Sequence, residues 1–159
     1  MYPDRRAIWT LDTNTDARRI FQSVKPGAFD FVFIDANHSH PWPLLDLLHL
    51  ATVVKPESWF ALHDIELPVL HPQFQVHGPK WLFEAWPFNK VHGVGPSQNI
   101  GAVQLPADLT ELVPMALELI DRPWQHAPTA WHVALPDVFR EVTASLVPRL
   151  ERPEIKRAG

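Results

Sequence analysis

Five side chains, in two short stretches, have the types and spacing to do chemistry together. Asp35, His38 and His40 follow the apolar run Phe31-Val32-Phe33-Ile34, and His63-Asp64 follow Trp59-Phe60-Ala61-Leu62. Aspartates are hard oxygen donors suited to Mg²⁺ or a similar cation that keeps some of its water. An imidazole near its ordinary pKa accepts a hydroxyl proton at neutral pH. Asp35-x-x-His38-x-His40 also has the look of a metal-dependent hydrolase site, where imidazole donors favour Zn²⁺ over Mg²⁺. Plainer roles remain open beside these. Each aspartate suits a strand-end residue capping the next helix, and His38 suits a surface position at a helix start.

The elements around these residues decide whether they can meet. Four consecutive apolar residues, Phe31 to Ile34, predict a strand buried on both faces, as in a parallel sheet. Ser58 to Leu62 predicts a second such strand, and side chains just past parallel strands lie at the sheet edge where open α/β folds bind ligands. Between them, Pro41 opens a helix whose broad apolar face is Leu44, Leu45, Leu47, Leu48 and Ala51, and Lys55-Pro56-Glu57 reads as a turn. Upstream, Ala7 to Leu11 reads as a short strand. Thr15 caps a helix over Asp16 to Val24, and Gly27 stops it. The order strand, helix, strand, helix, strand implies an α/β sheet with parallel pairing and right-handed crossovers.

Beyond Asp64 the pattern loosens. Glu66 to Gly78 reads as a loop, and Pro79 starts a short helix through Trp86. Lys90 to Val94 and Ile100 to Leu105 flank Gly95-Pro96-Ser97-Gln98-Asn99 as an antiparallel hairpin. Asp108 and Glu111 form a capping box for a helix reaching Ile120, and Val138, Val142 and Leu146 mark a last amphipathic helix. No internal repeat or domain boundary interrupts residues 1–148, which read as one domain. The basic stretch 149–159, broken by Pro153, reads as a flexible tail.

The totals narrow the function classes. The 159 residues are 46% hydrophobic and 20% charged, enough for one soluble domain with a real core. A net charge of −4 argues against nucleic acid as the main partner. The absence of cysteine removes disulfides, thiolate metal sites and cysteine nucleophiles, and is compatible with the cytoplasm. No apolar run approaches a membrane span, and the first residues lack the apolar core of a secretory signal.

The stretch Phe29-Asp30-Phe31-Val32-Phe33-Ile34-Asp35-Ala36-Asn37-His38-Ser39-His40, with Asp46 in the next helix and Leu62-His63-Asp64-Ile65, resembles the class I S-adenosylmethionine-dependent methyltransferases, in particular a group that includes small-molecule O-methyltransferases. Asn99-Ile100-Gly101-Ala102-Val103 resembles that family's last, antiparallel strand, so the likeness covers roughly residues 7 to 105. It implies a partial Rossmann-like methyltransferase sheet, mostly parallel with a C-terminal antiparallel hairpin, plus C-terminal helices. It implies S-adenosylmethionine as cofactor, a small-molecule acceptor such as a metabolite or sugar, and Mg²⁺ assistance. Asp35 and Asp64 fall on two metal-ligand positions, His38 on a general base, and Asp35, Asp16 and His63 on the cofactor side. The position after the second aspartate, usually Asn or Asp, is Ile65, which leaves Glu66 as the substitute ligand if the loop turns back. None of the six glycines forms a G-x-G-x-x-G loop near the N-terminus. The chain therefore looks like an amino-terminally shortened member, whose open sheet a partner chain or a second copy would cover. Trp42, Trp59, Trp81 and Trp86 either line an acceptor pocket or belong to the core, and core is the commoner use.

Overall fold

The computed structural model describes residues 17–125. Asp16, the strand expected over Ala7 to Leu11, the helix expected around Val138 to Leu146 and the tail lie outside them. The described chain runs α1 (Ala17–Ser23), β1 (Phe29–Ile34), α2 (Trp42–Ala51), β2 (Val54–His63), α3 (Leu67–Leu70), α4 (Gly78–Ala85), β3 (Lys90–His92), β4 (Ile100–Gln104) and α5 (Leu112–Ile120), with 3-10 turns at Gly95–Ser97 and Leu109–Glu111. The strands form one mixed sheet in the order β1-β2-β4-β3. β1 pairs with β2 in parallel across the α2 crossover, while β4 pairs antiparallel with both β2 and β3. The expectation of a mostly parallel sheet is therefore corrected, since two of the three pairings are antiparallel. A hairpin of two short strands contributes as many ladders as the βαβ unit it joins.

One face of the sheet carries the core. Val32 pairs with Phe60 and Phe60 with Val103, while Ile34 pairs with Leu62 and Leu62 with Gly101. Phe60, Leu62 and Val103 are fully buried. α2 fits this face because it is apolar nearly all round, with Leu44, Leu45, Leu47 and Leu48 at most 2% exposed. α4 comes so close that a Cβ on Gly101 would lie 2.5 Å from the Phe83 ring, which only glycine permits. Trp86 is buried and donates from Nε1 to the Gln104 carbonyl at 3.2 Å, while Trp42 and Trp81 pack partly buried against the same cluster. The core reading holds for Trp42, Trp81 and Trp86, whereas Trp59, opposite Phe31, lies on the other face of the sheet.

The other face is open, which corrects the expectation that β1 is buried on both sides. Phe31 and Phe33 are 56% and 51% exposed. They begin two rows across the sheet: Phe31–Trp59–Gln104, and Phe33–Ala61–Ala102–Val91. Four consecutive apolar residues therefore mark a strand without guaranteeing two covers, and among the described residues no helix covers this side.

Two local readings also change. Lys55-Pro56-Glu57 is not a turn between elements but a bulge within β2, where the register jumps from Phe29 opposite Val54 to Phe31 opposite Trp59. Glu57 takes a positive φ of 60° there, and Lys55 forms an ion pair with Asp30 of β1. The segment read as a loop from Glu66 holds α3, and Gly78 already belongs to α4.

Candidate functional site

β1 and β2 end side by side, with Ile34 opposite Leu62, so Asp35 leaves the sheet next to His63 and Asp64. Asp64 has φ of 61°, a left-handed conformation that aspartate tolerates better than most residues. That turn lets Asp64 and Ile65 diverge. Asp64 is 8% exposed and faces the cluster, while Ile65 is 1% exposed and plugs the core.

The side chains converge tightly. His38 Nε2 lies 2.9 Å from Asp64 Oδ2 and 3.5 Å from Asp35 Oδ1. His63 Nδ1 lies 3.1 Å from Asp64 Oδ1 and 3.6 Å from Asp35 Oδ1. Yet both nitrogens are buried and neither has a hydrogen-bond partner. The short distances and the missing hydrogen bonds are reconciled by direction: the contacts are close but not aligned for an N–H to donate. Asp35, His63 and Asp64 each offer one donor atom, all within 4.8 Å of one another, which fits a divalent cation.

Sequence reasoning left Asn99 as a hairpin residue, but it builds the site. Its Nδ2 donates to Asp64 Oδ1 at 2.5 Å, its Oδ1 accepts from the Glu66 amide at 2.9 Å, and its carbonyl accepts from the Ile65 amide at 3.3 Å. One asparagine thus fixes three consecutive residues. Gln125 was missed altogether. Its Oε1 accepts from the His40 and His77 amides at 2.9 and 2.7 Å, and its own amide donates to the His40 carbonyl at 3.1 Å. The Gly78 amide donates to the His38 carbonyl at 2.8 Å. The loop bearing His38 is thereby held from both sides. No local signal exposes partners 33 to 85 residues apart; a single asparagine or glutamine in a turn looks solvated.

Two expectations are revised, and one lies outside the described residues. Glu66 does not join the cluster: its carboxylate meets His92 Nε2 at 3.2 Å and Lys80 Nζ at 3.4 Å. Burial alone would raise the Glu66 pKa, but the hydrogen bond from His92 and the Lys80 charge outweigh it and lower it. His40 does not join either, which removes the H-x-H hydrolase pattern. Its ring sits edge-on to Trp81 at 5.3 Å and is 2% exposed. Burial pushes its pKa down to about 4, a backbone hydrogen bond at Leu119 opposing. Asp16 is not among the described residues.

Residues 5–65 match the family model of a methyltransferase domain. The match ends one residue past Asp64, so it contains Asp35, His38, His63 and Asp64. The chain is methyltransferase-like. The matched segment, under half of the chain, supports the class I S-adenosylmethionine-dependent family. No curated protein matches this methyltransferase-like chain. No helix among its described residues is long and apolar enough to cross a membrane.

Proposed function

We propose that the chain transfers a methyl group from S-adenosylmethionine to an oxygen of a small metabolite or sugar. The observation that carries this reading is the meeting of Asp35, His38, His63 and Asp64 at the shared end of the parallel strand pair. The half-exposed side chains of Asp35 and His63 leave that edge open to a polar ligand. When bound, S-adenosylmethionine supplies the electrophilic methyl group. Transfer is an in-line displacement in which alignment contributes most, with a base to take the acceptor proton. His38 accepts that proton at Nε2, and Asp64 Oδ2 at 2.9 Å stabilises the imidazolium that results. Asp35 and Asp64 would hold a divalent cation such as Mg²⁺, which would supply Lewis-acid acidification of an acceptor hydroxyl. Asp35 and His63 border the cofactor side.

Calorimetric titration with S-adenosylhomocysteine, with and without Mg²⁺, tests this reading. Binding is expected, and His38→Ala should preserve it while lowering turnover ~100-fold or more. Absence of binding at millimolar ligand rejects the cofactor reading for this chain. Loss of affinity in His38→Ala contradicts the base assignment.

The open sheet face supports a second reading, in which the chain is a methyltransferase-like subunit that pairs with a second copy of itself. Exposed Phe31, Phe33 and Val91 form an apolar surface that water does not favour.

A further inference from the structure

The donor set at the strand ends is not the all-oxygen set that a Mg²⁺ site prefers. We infer that His63 is a metal ligand through Nδ1, and that its imidazole makes the site selective for first-row transition dications of the Mn²⁺-to-Zn²⁺ series over Mg²⁺. The inference rests on the cation reading above and gives His63 a role other than a cofactor contact.

Several observations carry it. His63 Nδ1 is buried and without a hydrogen-bond partner, although two carboxylates lie beside it. A ring nitrogen that merely neutralised these carboxylates would aim an N–H at one of them. An Nδ1 with no hydrogen bond to either carboxylate keeps its donor position available to a Lewis acid. Donors at the bond lengths of a first-row dication stand roughly 3.0–3.4 Å apart around it. Nδ1 is 3.1 Å from the Asp64 oxygen, inside that range, and 3.6 Å from the Asp35 oxygen, which a small movement of the exposed Asp35 side chain would bring in.

The surrounding structure supports the same assignment. Asn99 anchors Asp64 Oδ1, as supporting residues do for metal-ligating carboxylates. Phe33 meets the His63 ring edge-on at 6.2 Å, which restrains its rotation. Lys80 is committed to Glu66 and Glu84, and Lys90 to the Phe83 and Glu84 carbonyls, rather than to Asp35 or Asp64. Imidazole suits Mn²⁺ to Zn²⁺ with affinity rising along that series to copper, whereas Mg²⁺ is held through carboxylates and water.

The test uses the full chain, stripped with chelator. Mn²⁺, Zn²⁺ and Mg²⁺ are titrated separately by calorimetry, and Mg²⁺ is competed against bound Mn²⁺. Zn²⁺ binding at least ~100-fold tighter than Mg²⁺ is expected, with Mn²⁺ between them. Pulsed electron paramagnetic resonance of bound Mn²⁺ should show a directly bonded ¹⁴N, and His63→Asp should remove that coupling and narrow the Zn²⁺ preference to less than ~10-fold. Equal affinity for Mg²⁺ and Zn²⁺, or no ¹⁴N coupling in the wild-type chain, overturns the inference even if the variant fails to fold. S-adenosylhomocysteine titration without metal is scored separately. A chain that binds that ligand but no cation refutes the metal site and spares the methyltransferase reading, and the opposite result does the reverse.

Discussion

Asp64 faces His38 with one carboxylate oxygen and His63 with the other, and Asn99 anchors it from behind. Its left-handed φ of 61° is what separates it from Ile65, so a replacement must keep both shape and backbone preference. Asparagine does both and removes only the charge. Asp64→Asn should leave the melting temperature within a few degrees while weakening cation binding at least ~10-fold, measured by calorimetry. Asn99→Ala should act less directly. It frees the Asp64 carboxylate and leaves the Glu66 amide without its side-chain acceptor, at a cost of ~1–2 kcal/mol in urea unfolding. Of these residues, Asp35, His38 and Asp64 are legible from the chain because each ends or closely follows an apolar run. Asn99 is not, because its partners are remote in sequence and meet only once the hairpin folds against β2.

At the scale of elements, α4 and the bulge in β2 do the positioning. A Cβ on Gly78 would stand 2.7 Å from the His38 carbonyl and 2.8 Å from the Pro43 ring. Gly78→Ala should therefore push the His38 loop away from α4, costing ~1–3 kcal/mol by thermal or denaturant unfolding. It should also lower turnover without altering the residues of the cluster. The βαβ unit was readable in advance: leucine-rich α2 lies between two apolar runs, and the structure puts β1 and β2 in parallel with their ends adjacent. What misled was the short turn signal at Lys55-Pro56-Glu57. Proline and a positive-φ residue signal a break in regular pairing, and a bulge satisfies that signal as well as a turn does. The hairpin's weight in the sheet was likewise under-read, because β3 has only three residues and yet adds a full antiparallel ladder.

For the whole molecule, pH and association are the informative variables. His40 has a folded pKa of about 4 against 6.5 in the unfolded chain. The unfolded chain binds that proton first, so stability is full above pH 6.5 and falls as pH drops toward 4, by roughly 3 kcal/mol at most. His92 has the opposite sign. The Gly93 carbonyl and then Glu66 accept from its two nitrogens and raise its pKa, so its contribution is present below 6.5 and fades as pH rises through the folded value. Denaturant unfolding across pH 4 to 8 should show an acid-side loss that His40→Leu flattens. The side of the sheet left uncovered among the described residues predicts self-association, and Phe31→Ser with Phe33→Ser should shift sedimentation toward monomer while leaving circular dichroism unchanged.

Gln125 adds a kinetic consequence. One carbonyl oxygen serves as acceptor for two backbone amides, at His40 and His77, that belong to separate stretches of chain. Releasing that oxygen exposes both protons in the same event. In deuterated water the two amides should exchange at matching rates, and Gln125→Ala should accelerate them by a common factor, so that the loop carrying His38 opens in step with the start of the neighbouring helix.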